Sequence, residues 1–122
     1  PLMVAFNVNL SGGTKNELLL AAKKIAGRIR ERDGGLAGVK SIGWYIPDLD
    51  VVQVSCNLTK PLETGVCHVF HTVQLEAEAL GYSAPDSELI GCIPESQIKQ
   101  CTASSLGLGR FKPMSSERLL PF

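Results

Sequence analysis

The sequence predicts an α+β domain with the element order β-α-β-β-α-β, and three observations support this prediction. Four short segments alternate apolar and polar residues with the period of two that is typical of strands. Two longer segments repeat apolar residues at helical spacing. Glycine, proline and aspartate separate these segments where the period changes. In this order of elements, two helices cover one face of a four-stranded antiparallel sheet.

The first strand and the first helix are predicted from the opening part of the chain. Residues 2–10 alternate, and after the break at residues 11–13 Thr14 and Glu17 have capping-box spacing, which predicts a helix start. The apolar stripe of this helix consists of Leu18, Leu19, Ala22, Ile25, Ala26 and Ile29. The opposite face is basic. Asp33 and the two glycines after it are expected to end the helix, so that the arginines near this end complement the helix dipole.

A β-hairpin is predicted next, from residues 39–46 and 51–58. Pro47 and two aspartates between these runs have the composition of a turn. In the first strand the apolar residues expected to join the core are Ile42, Trp44 and Ile46. In the second strand they are Val52, Val54 and Cys56.

A second helix is predicted at about residues 66–80, with Gly81 just after its C-cap. A fourth strand is predicted over residues 87–93 and is closed by Pro94. These elements complete the set that a four-stranded sheet with two helices requires.

The six elements predict a ferredoxin-like sandwich over residues 1–94, in which the first and third strands lie side by side at the centre of the sheet. Residues 95–122 are predicted to be an irregular C-terminal extension that packs on the domain or leaves it. A short helix near residues 96–101 is the one element predicted in it.

The two central strands carry uncharged polar residues on the face that the helices leave uncovered. These residues are Asn7, Asn9, Gln53, Ser55 and Asn57. A solvated sheet face usually carries charged residues, whereas amides and hydroxyls suit hydrogen bonds to a ligand. The pattern therefore leaves two interpretations open, a ligand or partner surface and an ordinary solvated face.

Composition argues against several classes of function. Twelve basic and twelve acidic residues cancel, which disfavours a nucleic-acid binder, and the central strands lack the aromatic residues of RNA-recognition domains. No apolar run approaches the roughly 18 residues of a membrane span.

Four cysteines without C-x-x-C spacing, and no signal peptide, predict a reducing, cytoplasmic location without a disulfide framework. Because the first strand starts almost at once after Pro1, we expect a piece of a longer protein.

Three local motifs each have a functional and a structural interpretation. The turn at residues 11–14 could hold an anion at a helix N-terminus, although a tight turn with an N-cap is the commoner arrangement. Residues 28–38 combine three arginines with glycines, which fits a charged helix end or a carboxylate-binding loop. His68 and His71 lack further ligands, so no metal site is predicted, and neither has a nucleophile partner.

Several blocks of the sequence resemble glutamate formiminotransferase, and more narrowly the C-terminal half of the transferase module of formiminotransferase-cyclodeaminases. These blocks are residues 1–10, 29–40, 42–45, 53–58, 87–94 and 106–118. The resemblance covers nearly the whole chain in register.

The resemblance implies a transferase that moves a formimino group from N-formiminoglutamate to the co-substrate tetrahydrofolate in histidine breakdown. It also implies two ferredoxin-like halves that face each other sheet to sheet, with folate in the tunnel between them. By the same resemblance, the residues that hold folate are Arg30, Arg32, Asp33, Gly34, Gly35, Leu36 and Gly38. The side chains expected from their alternation to line this half of the tunnel are Asn7, Asn9, Gln53, Ser55 and Asn57.

The catalytic histidine of that family belongs to the N-terminal half, which is the implied partner of this chain. No catalytic residue and no metal are therefore expected here, and the fragment alone is expected to be inactive. The segment between Pro94 and Leu106 is shorter than the helical insertion usual in the family. A homodimer stays open, and the alternative function is a stand-alone ferredoxin-like module that binds a small metabolite or dimerises without catalysis.

Overall fold

The predicted elements form in the predicted order. The computed structural model describes residues 3–90, 93–94, 106 and 119–120. The six elements are β1 (Val4–Ser11), α1 (Lys15–Ile29), β2 (Val39–Ile46), β3 (Val51–Leu58), α2 (Val66–Ala79) and β4 (Ser83–Ile90). The strands form one antiparallel sheet in the order β2-β3-β1-β4. Both helices pack on one face of this sheet, so the ferredoxin-like α+β fold is confirmed.

Helix α1 begins at the predicted capping box. The backbone N–H of Thr14 donates to Oε1 of Glu17 at 2.8 Å, and the backbone N–H of Glu17 donates to Oγ1 of Thr14 at 3.2 Å. The bond from the Thr14 backbone above all holds the pKa of Glu17 below its usual value, because it favours the charged carboxylate. The local sequence therefore decides where this helix starts.

The two helices end differently from one another. Helix α1 ends at Ile29, before the predicted stop at residues 33–35, because Arg30 has an extended backbone conformation. Arg32 consequently lies in a separate 3₁₀ turn and not in the last turn of the helix. Helix α2 ends as predicted, since Gly81 follows its C-cap in the left-handed region with φ of 89°.

The core lies between the helices and the inner face of the sheet. Phe6 of β1 and Phe70 of α2 are both buried there and meet edge to face, with ring centroids 6.4 Å apart. Val52, Val54 and Cys56 face the core as predicted. Leu106 is buried in the same core, and its carbonyl accepts a hydrogen bond from the Ser87 hydroxyl.

The face predicted for β2 is wrong. Ser41 is buried on the inner face, and Gly43 lies so close to α1 that a Cβ atom there would be 2.5 Å from the helix backbone. Ile42, Trp44 and Ile46 lie on the opposite face, and the first two are exposed. Because α1 crosses this edge strand closely at Gly43, no side chain fits beneath the helix there, and the bulky Ile42 and Trp44 on either side are turned outward.

Strand β4 also differs from its prediction. It begins at Ser83, four residues before the predicted start, and ends at Ile90. Pro85 lies within it, which an edge strand tolerates because its outer N–H groups have no ladder partner. Ile93–Pro94, predicted as the end of this strand, instead pair in parallel with Leu119–Leu120.

The remaining predictions concern the extension and the cysteines. The short helix predicted near residues 96–101 lies outside the described residues, as does most of the extension 95–122. Cys56 is a free thiol, but Cys67 is disulfide-bonded, a bond that the prediction of a reducing location without a disulfide framework did not include. Cysteine spacing alone does not reveal which segments the fold brings together.

Candidate ligand-binding face and arginine loop

The open face is the face of the sheet opposite the two helices. The register places Asn9 beside Gln53 and Asn7 beside Ser55, and Asn57 lies two residues further along β3. The predicted placement of these five side chains on one face is therefore confirmed. Their role in lining a tunnel remains a prediction.

A first hydrogen-bonded row crosses the open face from β2 to β4. Nε1 of Trp44 donates to Oε1 of Gln53 at 3.1 Å, and Nε2 of Gln53 donates to Oδ1 of Asn9 at 2.8 Å. Nδ2 of Asn9 then donates to Oδ1 of Asp86 at 2.6 Å. Gln53 is 0% exposed and Asn9 is 2% exposed, so the two amides bond within the protein.

A second row runs parallel to the first. The Ser55 hydroxyl donates to Oδ1 of Asn7 at 2.8 Å, and Nδ2 of Asn7 donates to Oε1 of Glu88 at 3.3 Å. On the β2 side this row ends at the apolar side chain of Ile42. Among the described residues, every buried side-chain nitrogen and oxygen has a hydrogen-bond partner. Most of the polar groups predicted for this face are thus satisfied by one another.

The third row of positions is the exposed end of the open face. Lys40 stands opposite Asn57 in the register, and both side chains are exposed. Ala5 is their neighbour on β1, so this row has no third polar group in the middle of the sheet. Accessible polar groups therefore concentrate at the end of the face where β2 begins, beside the loop that follows α1.

The arginine loop, residues 30–38, joins α1 to β2 and holds the residues that the resemblance assigns to folate. Arg30 pairs with Asp33, and Nε of Arg32 lies 3.9 Å from Oδ1 of the same carboxylate. The Arg30 guanidinium above all holds the pKa of Asp33 below its usual range. The N–H of Gly38 donates to Oε2 of Glu31 at 3.0 Å, which closes the loop.

The backbone of the arginine loop requires glycine at the three positions that were predicted to hold folate, Gly34, Gly35 and Gly38. Gly34 and Gly38 have φ of 90° and 72°, a conformation that other residues rarely adopt. A side chain at Gly35 would overlap the backbone of Ile29. Leu36 is half-buried against the core, and its N–H donates to the carbonyl of Ile29 at 2.8 Å. These residues shape the loop, whichever ligand it binds.

A pocket of about 430 Å³ joins the arginine loop to the edge of the open face. The residues lining it are Arg30, Glu31, Arg32, Gly38, Val39, Lys40, Ser41, Ile42 and Thr59. Three of these side chains are cationic and one is acidic, so the pocket favours an anion. Of the predicted loop residues, Arg30, Arg32 and Gly38 line it, whereas Asp33, Gly34, Gly35 and Leu36 do not.

Lys40 lines this pocket although it is not among the predicted site residues. It belongs to the same alternating series as Ile42 and Trp44, which was predicted to face the core. A lysine in that series indicates that the series faces outward, because lysine is almost never fully buried. This signal was sufficient to assign the face of β2 correctly.

The remaining motifs are the two histidines of α2 and the turn before α1. His68 and His71 are exposed on α2, on the helix-covered side of the sheet. The turn at residues 11–14 forms the N-cap described above. Within residues 3–90 and the few described beyond them, no three His, Cys, Asp or Glu side chains are grouped to hold a metal. No helix in this part of the chain is long and apolar enough to cross a membrane.

Comparison with known proteins agrees with this architecture. Residues 5–107 match the formiminotransferase domain family. The chain is 38% identical over 109 residues to glutamate formimidoyltransferase of Thermoplasma acidophilum, covering 89% of this chain and 35% of that protein. It is 38% identical over 92 residues to glutamate formimidoyltransferase of Streptococcus pyogenes, covering 75% of this chain and 29% of that protein. It is 36% identical over 94 residues to formimidoyltransferase-cyclodeaminase of Dictyostelium discoideum, covering 75% of this chain and 17% of that protein.

The chain thus spans about a third or less of the length of these relatives. The family match, in contrast, covers most of the chain, from the second residue of β1 to the segment that follows the buried Leu106. The chain belongs to the formiminotransferase domain family.

Proposed function

We propose that this chain is the folate-binding half of a glutamate formiminotransferase, which transfers a formimino group between N-formiminoglutamate and tetrahydrofolate in histidine degradation. Membership of the family and the names of the relatives support the reaction class. The observation that carries the assignment of folate binding is the cationic pocket at the exposed end of the open face.

The chemistry of this pocket suits a ligand that ends in carboxylates. Arg30, Arg32 and Lys40 line its wall, and guanidinium groups bind carboxylates through paired, charge-assisted hydrogen bonds. Asp33 pairs with Nε of Arg30 and lies 3.9 Å from Nε of Arg32, and each arginine has five N–H donors. The remaining donors of the loop are sufficient for the glutamate part of a folate. Asn57 adds an exposed amide beside Lys40.

In this proposal the chain orients the co-substrate and does not transfer protons. The histidines of α2 lie on the helix-covered side of the sheet and do not reach the open face. Holding a co-substrate in one orientation can supply a large part of the acceleration of a two-substrate reaction. In this proposal the acid–base chemistry comes from an N-terminal subdomain packed on the open face, the fragment alone is inactive, and the protein works in the cytoplasm.

The proposal is tested by calorimetric titration of tetrahydrofolate into the full-length protein and into this chain alone. We expect binding by the full-length protein only. Arg32→Ala should weaken that binding roughly tenfold, because a charge-assisted contact is lost. Lys23→Ala is the matched control, since it removes one exposed cation from α1, away from the pocket, and should leave the affinity unchanged.

Two results would count against the proposal. Absence of binding by the full-length protein would refute it. Binding of equal affinity by this chain alone would favour the alternative, a stand-alone ferredoxin-like module that binds a small metabolite.

A further inference from the structure

Trp44 is an exposed aromatic side chain on the open face. It is 42% exposed although it lies in the middle of a strand. Its indole N–H is nevertheless bonded to Gln53, which has no exposed surface. One edge of the ring is thus anchored to a buried group while much of the side chain remains accessible.

In the hydrogen-bonded row that anchors Trp44, the donors and acceptors can be arranged in one order only. Asp86 presents a carboxylate at one end, which accepts hydrogen bonds, and the indole at the other end only donates. The amide nitrogen of Asn9 must therefore face Asp86, and its oxygen must face the nitrogen of Gln53. The oxygen of Gln53 is then left for the indole. Both ends of the row specify the same orientation, so the indole is held in place before any ligand arrives.

Three side chains with different chemistry follow one another along the outer face of β2. Lys40 lies in the cationic pocket, Ile42 lines the same pocket and is exposed, and Trp44 comes two residues later. Residues two apart on a strand are about 7 Å apart, so the series covers roughly 13 Å. A ligand lying along this edge meets cations first, an apolar surface next and an aromatic ring last.

Folates have the same order of groups, namely glutamate carboxylates, a p-aminobenzoyl linker and a pteridine, whose pyrimidine ring stays planar and aromatic in tetrahydrofolate. We propose that Trp44 is the residue on which the pteridine ring stacks, with the glutamate end of the folate in the pocket of the arginine loop. Planar heteroaromatic rings stack on tryptophan with a free energy large enough to change affinity severalfold or more. The inference rests on the proposed function and adds the direction in which the folate lies.

The test compares two ligands on the full-length protein by calorimetry: tetrahydrofolate, and p-aminobenzoylglutamate, which lacks the pteridine. Trp44→Ala should weaken tetrahydrofolate binding roughly tenfold and leave p-aminobenzoylglutamate binding unchanged. Trp44→Phe keeps a ring and should retain the affinity for tetrahydrofolate within about threefold. Leu20→Ala is the control, because it removes an exposed apolar side chain from α1 on the other side of the sheet. Circular dichroism melting of each variant establishes that it is folded.

The outcomes separate this inference from the proposed function. If Trp44→Ala weakened the binding of both ligands equally, the stacking role would be overturned. Since p-aminobenzoylglutamate has no pteridine, an equal loss would mean that Trp44 does not act through that ring. Unchanged binding of both ligands would overturn it as well. If the unaltered protein binds neither ligand, the proposed function itself fails.

Discussion

Gly43→Ala tests how closely helix α1 lies on strand β2. A Cβ atom at position 43 would be 2.5 Å from the carbonyl carbon of Ala22 and 2.5 Å from the amide nitrogen of Lys23. Ordinary contacts begin at 3.4 Å, so the helix would have to move by about 0.9 Å. The blocking atoms are backbone atoms in the middle of a helix, which cannot turn aside as a flexible side chain can. We therefore expect the substitution to displace α1 or to strain the sheet.

The expected cost follows from the physics of overpacking. Adding a methyl group to a filled contact typically costs about 1–3 kcal/mol, and a blocking backbone places this site near the upper end. Alanine also lowers the conformational entropy of the unfolded chain, which offsets about 0.4–1 kcal/mol of this cost. The net loss should be about 2 kcal/mol in the free energy of unfolding. With a urea dependence of roughly 1–3 kcal/mol per molar for a small domain, the unfolding midpoint should fall by about 1 M.

Gly27→Ala is the matched control. Gly27 lies within α1, and a Cβ atom there would meet only a guanidinium nitrogen of Arg30, at 4.0 Å. Alanine is favoured over glycine inside a helix by about 0.5–1 kcal/mol, so this variant should be more stable than the parent. If Gly43→Ala proved as stable as the parent in urea unfolding while Gly27→Ala gained stability, α1 would not touch β2 at this point. The assignment of Ile42 and Trp44 to the open face would then be refuted.

Two further predictions concern buried polar groups. Asn9→Leu removes a bond to Asp86 and the acceptor of Gln53, so it should lower the stability by about 2–4 kcal/mol in thermal melting. Asn57→Leu, at the exposed end of the same face, should change the stability by less than about 0.5 kcal/mol. Equal losses of stability in the two variants would contradict the hydrogen-bonded row through Asn9. Burial raises the pKa of Cys56 to about 11 from 9.0. Because the unfolded thiol ionises first, stability should fall as the pH rises from about 9 towards 11, and urea unfolding of Cys56→Ala should lack that part of the fall.

Local sequence was enough to predict the features that depend on neighbours within a few residues. The capping box of Thr14 and Glu17 marked the start of α1, and a turn-forming stretch marked the hairpin between β2 and β3. Strict alternation placed Asn7, Asn9, Gln53, Ser55 and Asn57 on one face. Each of these outcomes is set by backbone geometry over one turn or one strand, which the order of residues determines directly.

Tertiary structure decided the features that depend on distant neighbours. Alternation divides β2 into two faces, but the close passage of α1 over Gly43 determines which face is buried. Asn9 and Asp86 are 77 residues apart in the chain, so the sequence could predict a polar face but not that two of its amides are buried in a closed row. The pocket likewise joins Arg30, from the end of α1, to Lys40 of the sheet edge. Alternation specifies the side of a strand to which a residue points, whereas packing between distant segments determines what it meets there.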